Sequence, residues 1–229
     1  MIESIVESAP RFFTPGVALF LLGALWRTIV MTAIGCSLGF AFGMGLAVLR
    51  RTRAPALAPL RFAAMLVVET FRRLPFLVLL ILSLFATQII APELSLLGIA
   101  TVAITLYATA YLSEIIRAGL DSVPRTQVEG AEALNFNAWQ VFWLVVLPQS
   151  WRIILPPATA FIVMFIKDTS LASHLGVVEL TFSGKILVNR GFPPTLGFGA
   201  VLILYFLLSW PLGLLAKRLE NRLAPSRRP

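Results

Sequence analysis

The sequence predicts an all-α integral membrane protein with five transmembrane helices. Three observations predict it. The 229 residues are 58% hydrophobic and 13% charged, with a mean hydropathy of +0.87; soluble domains are about 45–50% apolar and about 25% charged. The apolar residues gather in runs of the ~20 residues that a spanning helix needs. The basic residues stand at the ends of those runs, as membrane topology places them, so the net charge of +8 is no nucleic-acid footprint. A single cysteine, Cys36, excludes an internal disulfide and any multi-cysteine metal site.

Residues 1–21 are expected to form an extracytoplasmic segment. Glu3 and Glu7 stand there with no early lysine or arginine, unlike the basic start of a cleaved leader, so the first span is expected to stay in the mature protein. The transmembrane domain is placed at 22–217, with its first span at about 28–49. Gly35, Gly39 and Gly43 form a small-residue ridge along that span. Such a ridge lets backbones approach closely, either within the chain or against a second subunit. The second span is read at 62–90, interrupted by FRRLP, and the third at 96–116. The run VFWLVVL at 141–147 is too short to span; it lies at the interface or opens the fourth span, placed at 151–171. The fifth span is placed at 196–216, followed by a cytoplasmic tail at 218–229.

Five spans put the termini on opposite sides. One set of flanks holds Arg50, Arg51, Arg53, Arg61, Arg117, Arg125, Lys217, Arg218, Arg222, Arg227 and Arg228; the other holds Arg11, Arg27, Lys185 and Arg190. Because cytoplasmic loops carry the excess of lysine and arginine, the N-terminus is expected outside and the C-terminus in the cytoplasm.

A short cytoplasmic helix is expected at 126–135. Pro124 ends the preceding element. Thr126 and Glu129 make a T-x-x-E capping pattern, and Asn135 stands where a left-handed C-terminal cap belongs. A helix this short is marginal alone. It needs a support, either a docking partner or its own chain.

Charges inside spans are costly, so each is a candidate for function. Glu69, Arg72 and Arg73 lie at the second-span interruption, Glu114 at the end of the third span, and Lys167 and Asp168 in the fourth. Pro75 removes a backbone donor and frees a carbonyl nearby; broken helices at membrane depth occur where they line a cavity. The other reading of these charges is internal ion pairing that closes the bundle. The chain has no G-x-x-x-x-G-K-[ST] phosphate loop, since SGKI at 183–186 lacks the first glycine and the hydroxyl residue. No catalytic set is visible, and the lone His174 reads as an interfacial side chain.

These motifs resemble those of ABC-importer permeases. That family carries a cytoplasmic Glu-Ala-Ala, three residues, a glycine, nine residues, then Ile-x-Leu-Pro. Here Glu129, Gly130 and Ala131 open the pattern, Leu134 precedes Asn135 in the glycine position, and Val145, Val146, Leu147 and Pro148 close it with the same spacing. Gly130, Asn135 and Val145 depart from the pattern. Three further stretches look like the polar amino-acid branch, that of histidine, glutamate, glutamine and arginine permeases. They are FIVMFIKDTSLAS at 161–173, YLSEIIRAGLDSVPRTQVEGAEAL at 111–134, and VETFRRLP at 68–75, where Arg73 and Leu74 replace Gly and Thr. The resemblance covers roughly positions 22–220.

The resemblance implies a type I ABC-importer permease fold whose coupling helix inserts into a groove on the ATP-binding subunit. Coupling residues would be Glu129, Gly130, Ala131, Leu134, Asn135, Leu147 and Pro148. The chain itself would bind no cofactor, ATP and Mg being used by the partner subunit. Expected partners are ATP-binding cassette subunits, a second permease (a sister chain or itself), a substrate-binding protein, an amino-acid substrate and the lipid bilayer, with no nucleic acid. Localisation would be the bacterial inner membrane. An amino acid brings a carboxylate and an ammonium, and Arg72 or Arg73 with Asp168 or Glu69 would supply the complementary pair. Glu114, Lys167, Thr169 and Ser170 complete the candidate pathway. Two other classes compete. A secondary transporter or channel for a small polar solute would be longer or internally repeated, and a membrane enzyme would need a catalytic cluster.

Overall fold

The computed structural model describes residues 2–52 and 54–223. Helix α1 spans Ile2–Phe12, α2 Pro15–Arg51, α3 Ala58–Arg73, α4 Phe76–Ile90 and α5 Leu96–Asp121. Then come α6 at Arg125–Ala133, α7 at Ala138–Gln140, a π-helical segment at Val141–Val146 and α8 at Leu147–Asp168. A 3₁₀ turn over Thr169–Leu175 leads to α9 at Leu180–Asn189 and α10 at Pro194–Leu223. No strand occurs among the described residues.

Among the described residues, four helical stretches are long and apolar enough to cross a membrane: 15–51, 96–121, 138–175 and 194–223. The residues 55–90 form a fifth when taken together, although their halves are bent by 116°. Packing fixes the directions. The glycine ridge of α2 presses on α5: a Cβ added at Gly35 would lie 2.3 Å from Ile104, at Gly39 2.5 Å from Ala108 and at Gly43 2.9 Å from the Ser113 nitrogen. These partners ascend together, so α2 and α5 run parallel, and the ridge is used within the chain. The chain between them must therefore return across the bilayer. Its second half, α4, does so antiparallel to α5, from Phe76 beside Tyr107 at 5.1 Å to the start of α5. Helix α8 is antiparallel to α5, with Ile154 against Gly119 and Phe161 and Phe165 against Tyr111 and Tyr107, ring centroids 5.5 and 5.2 Å apart. Helix α10 returns from α9 along α8, which completes five alternating crossings. The core is the seam of α2, α4, α5 and α8, including Met31, Leu80, Ile104, Leu112, Ile154 and Phe165.

Several boundaries differ from the sequence reading. The first span begins at Pro15, which suits the first helical turn because its missing N–H would be unpaired there anyway. The divisions at 21/22 and 217/218 therefore fall inside α2 and α10. The second span is bent sharply at Leu74–Pro75, where both residues are extended. The fourth starts at Ala138, so VFWLVVL belongs to it. Pro148 has no N–H to continue an α register, and the Leu147 N–H instead reaches the Phe142 carbonyl five residues back. Helices α1 and α9 lay outside the expected elements. Arg53, Arg227 and Arg228 of the basic flanks, and 224–229 of the expected tail, lie outside the described residues.

Candidate functional site

The short charged helix is real but starts differently. Pro124, extended at φ −58° and ψ 137°, is itself the N-cap of α6. Thr126 thus falls inside the first turn, and no side chain caps the helix. The capping box sits one element later. The Asn137 side chain accepts from the Gln140 N–H and the Gln140 side chain accepts from the Asn137 N–H, both at 2.9 Å.

The C-terminal end matches the expectation. Asn135 has φ 62°. Its N–H bonds the Glu132 carbonyl at 2.9 Å, and the Phe136 N–H bonds the Ala131 carbonyl at 3.1 Å. These two bonds are the Schellman pair, which satisfies carbonyls that a helix end leaves open. Val128, Ala131 and Phe136 turn inward onto the core beside Val141 and Val146. Glu129, Gly130, Glu132, Ala133 and Leu134 face outward, Leu134 with 72% of its surface exposed. Leu147 is half-buried and Pro148 exposed. The helix is thus held by its own chain on one face and leaves a charged and apolar face uncovered.

Of the charges read as one pathway, Glu69, Arg72, Arg73 and Glu114 join one ion-pair cluster, and Lys167 and Asp168 stand apart from it. Glu69 pairs with Arg72 at 3.5 Å and with Arg73 at 3.2 Å. Glu114 pairs with Arg50 at 3.0 Å, Arg72 at 3.9 Å and Arg117. Asp121 pairs with Arg51 at 3.0 Å and Arg117 at 2.7 Å. Among the carbonyls left open at the helix break, that of Arg72 accepts from the Tyr111 hydroxyl at 3.0 Å.

Asp168 belongs to neither Glu69, Arg72 nor Arg73. It is exposed at the α8 terminus, with no ion-pair partner among the described residues. Aromatic rings of Phe76, Tyr107, Phe161 and Phe165 pack between α4, α5 and α8, where a shared polar cavity was expected. Lys167 faces elsewhere, into a groove of about 380 Å³ between α8 and α10 that Lys217 and Glu220 also line. The Thr169 hydroxyl is buried and donates to the Ile166 carbonyl at 2.7 Å; Ser170 is half-buried.

Sequence reasoning missed Glu179. It is fully buried and caps α9, accepting from the Phe182 and Thr181 N–H groups at 2.7 and 2.9 Å and from the Tyr205 hydroxyl at 2.9 Å. Burial pushes its carboxyl above the usual glutamate range, against these donors and the nearby Lys185 charge. The loop before α9 is pinned to α2 by Arg27, which donates to the Val178 carbonyl at 3.1 Å, and by Thr28, which accepts from the Leu180 N–H at 3.2 Å. Among the described residues, no group of His, Cys, Asp and Glu is arranged to hold a metal ion.

The family model described as "Binding-protein-dependent transport system inner membrane component" matches residues 39–229. The chain is 32% identical over 206 residues to the probable glutamine ABC transporter permease protein of Bacillus subtilis, covering 89% of this chain and 93% of that one. It is 31% identical over 213 residues to the glutamate transport system permease protein of Corynebacterium glutamicum, covering 91% and 76%. It is 31% identical over 234 residues to the glutamate/aspartate import permease protein of Escherichia coli O6:H1, covering 97% of each. In fold it resembles a chain of an amino acid ABC transporter crystallised with histidines, at TM-score 0.81 and 22% identity over 90% of this chain and 94% of that one. It also resembles a chain of the MetNI methionine ABC transporter in an inward-facing conformation, at TM-score 0.80 and 22% identity over 93% and 100%.

Proposed function

The chain belongs to the family of binding-protein-dependent transport system inner membrane components, as the membrane-spanning subunit of an ATP-driven importer, and we propose that it carries a polar amino acid such as glutamine or glutamate. The observation that carries the mechanism is α6, a Schellman-capped helix with the family's motif spacing and an uncovered face of Glu129, Glu132 and Leu134.

That face docks in a groove of an ATP-binding cassette subunit lying in the cytoplasm. Gly130 lies on that face in open space, where a Cβ would meet nothing of this chain within 4 Å. Asn135, Leu147 and Pro148 set the angle at which α6 leaves the bundle. ATP and Mg are held by that partner and not by this chain. Two such ATPases, a second permease subunit and a substrate-binding protein on the outer side complete the machine, in the bacterial inner membrane. The N-terminus lies outside and the C-terminus in the cytoplasm, as the basic flanks favour.

Within the pathway, Asp168 has no ion pair among the described residues and receives the substrate ammonium. Lys167, with Thr169 and Ser170 beside it, sits at the same helix end. Glu69, Arg72 and Arg73 are held by their mutual ion pairs, and their part is to shape the broken span beside the pathway.

The test is purification of the chain from its native membrane, followed by reconstitution. A co-purifying ATPase subunit and ATP-dependent uptake of radiolabelled glutamine or glutamate are expected. Uptake driven by an ion gradient without any ATPase subunit would overturn the reading.

A further inference from the structure

Glu114 was grouped with the pathway by its place in a span, but its surroundings give it a different task. Its carboxylate meets arginines from three helices: Arg50 of α2 at 3.0 Å, Arg72 of α3 at 3.9 Å, and Arg117 of its own α5. Glu69 extends the cluster along α3, and Asp121 ties Arg51 of α2 to Arg117. The side chains of Arg50 and Glu114 are only 11% and 22% exposed. Such a pair is screened far less than a surface pair.

Among the described residues, five arginines face three carboxylates here, an excess of positive charge that an anion could fill. The helix ends account for most of the excess. Helices α2, α3 and α5 all finish in this cluster, at Arg51, Arg73 and Asp121, and each C-terminal end carries about half a negative charge. Three ends, together about 1.5 negative charges, and three carboxylates offset all but about half a charge of the five arginines. The Arg72 guanidinium also stacks 5.8 Å from the Tyr111 ring centre, and the Tyr111 hydroxyl holds the Arg72 carbonyl.

The cluster is also placed where force would arrive. Asp121 is followed by Ser122, Val123 and then Pro124, the cap of α6. The glycine ridge locks α2 to α5 as far as Gly43 and Ser113. Beyond that level Ala47, Ile116 and Leu120 continue the buried apolar packing, and the ion pairs add the polar link between the helix ends.

We propose that Glu114 is a positioning residue: its carboxylate clamps the carboxyl-terminal ends of α2, α3 and α5 into one body. A displacement of α6 then moves three helices together instead of bending α5 near Ser122. This rests on the reading of α6 as the helix that receives the ATPase stroke. Glu114 itself does not touch the substrate.

The experiment compares Glu114→Gln, Glu114→Asp, Arg50→Gln and the Arg50→Gln/Glu114→Gln double variant in the full transporter. Two readouts are taken: thermal unfolding of the purified complex, and uptake with ATP hydrolysis in proteoliposomes. Glu114→Gln should lower the maximal uptake rate about tenfold while the substrate KM stays within about twofold, so that more ATP is spent per molecule moved. Glu114→Asp should recover part of the rate. In unfolding, the double variant should lose no more than the worse single variant, because both remove the same link.

Should Glu114→Gln fail to assemble, Glu114→Asp and Arg50→Gln carry the same comparison. A KM raised about tenfold with ATP use per substrate unchanged would make Glu114 a substrate contact and overturn the proposal. Strictly additive losses in unfolding would overturn it too. If the parental complex shows no ATP-driven uptake, the importer reading fails, and the unfolding comparison still decides whether the clamp exists.

Discussion

Asn135 holds a φ of 62°, a conformation that costs most L-residues about 1–2 kcal/mol and glycine nothing. Asn135→Gly should leave thermal unfolding of the purified chain nearly unchanged. Asn135→Val should cost about 1–2 kcal/mol, and equal stability of the two variants would contradict the cap. This residue was legible because the turn needs a positive φ and asparagine tolerates it. Thr126 was misread for a related reason. T-x-x-E is a valid capping pattern, but Pro124 already supplies the extended residue that starts the helix, so the threonine falls two positions too late, inside the first turn. The pathway charges were legible as residues and not as a set. Partners such as Arg50 and Arg117 lie 64 and 3 positions from Glu114, and no local pattern announces the long-range one. Asp168, without an ion pair among the described residues, is the charge whose neutralisation should matter most. Asp168→Asn should reduce uptake at least about tenfold with assembly intact, as measured in proteoliposomes; an unchanged rate would place the substrate elsewhere.

At the scale of elements, sequence reasoning passed over α9 as well as α1. The cap of α9 is a glutamate instead of the usual serine, threonine, aspartate or asparagine, and the hydroxyl that completes the site comes from Tyr205, 26 positions on. Glu179→Ala should cost about 0.5–2 kcal/mol for the lost cap, with the loss concentrated in faster hydrogen exchange over 180–189. Unchanged exchange there would contradict the role. The pH dependence has a definite sign. Burial raises the Glu179 carboxyl, so its contribution to stability is complete below the ordinary value of 4.5 and declines as pH rises through the raised one. Glu179→Gln should remove that slope. The break at Leu74–Pro75, by contrast, was readable from proline chemistry alone, although the 116° bend was not. The angle depends on what α3 and α4 pack against, and the Tyr111 hydroxyl that holds the Arg72 carbonyl is part of that packing.

For the whole molecule, run length and composition were enough to read five crossings, because the bilayer sets one length for every span. The parallel pairing of α2 with α5 was hidden, since the glycine ridge does not name its partner. Orientation follows from the basic flanks and is open to direct labelling. In a Cys36→Ser background, Glu132→Cys on α6 should react with an impermeant maleimide only in inside-out vesicles, and Glu7→Cys only in right-side-out ones. The reverse pattern would invert the topology. The central claim is that the uncovered face of α6 transmits the ATPase stroke to the bundle. Its most direct test is uptake and ATP hydrolysis measured together in proteoliposomes carrying Glu129→Lys, beside the parental complex. The account predicts a protein that inserts normally but loses uptake, with ATP hydrolysis no longer linked to transport. Parental uptake together with intact association with the ATPase subunit would contradict it.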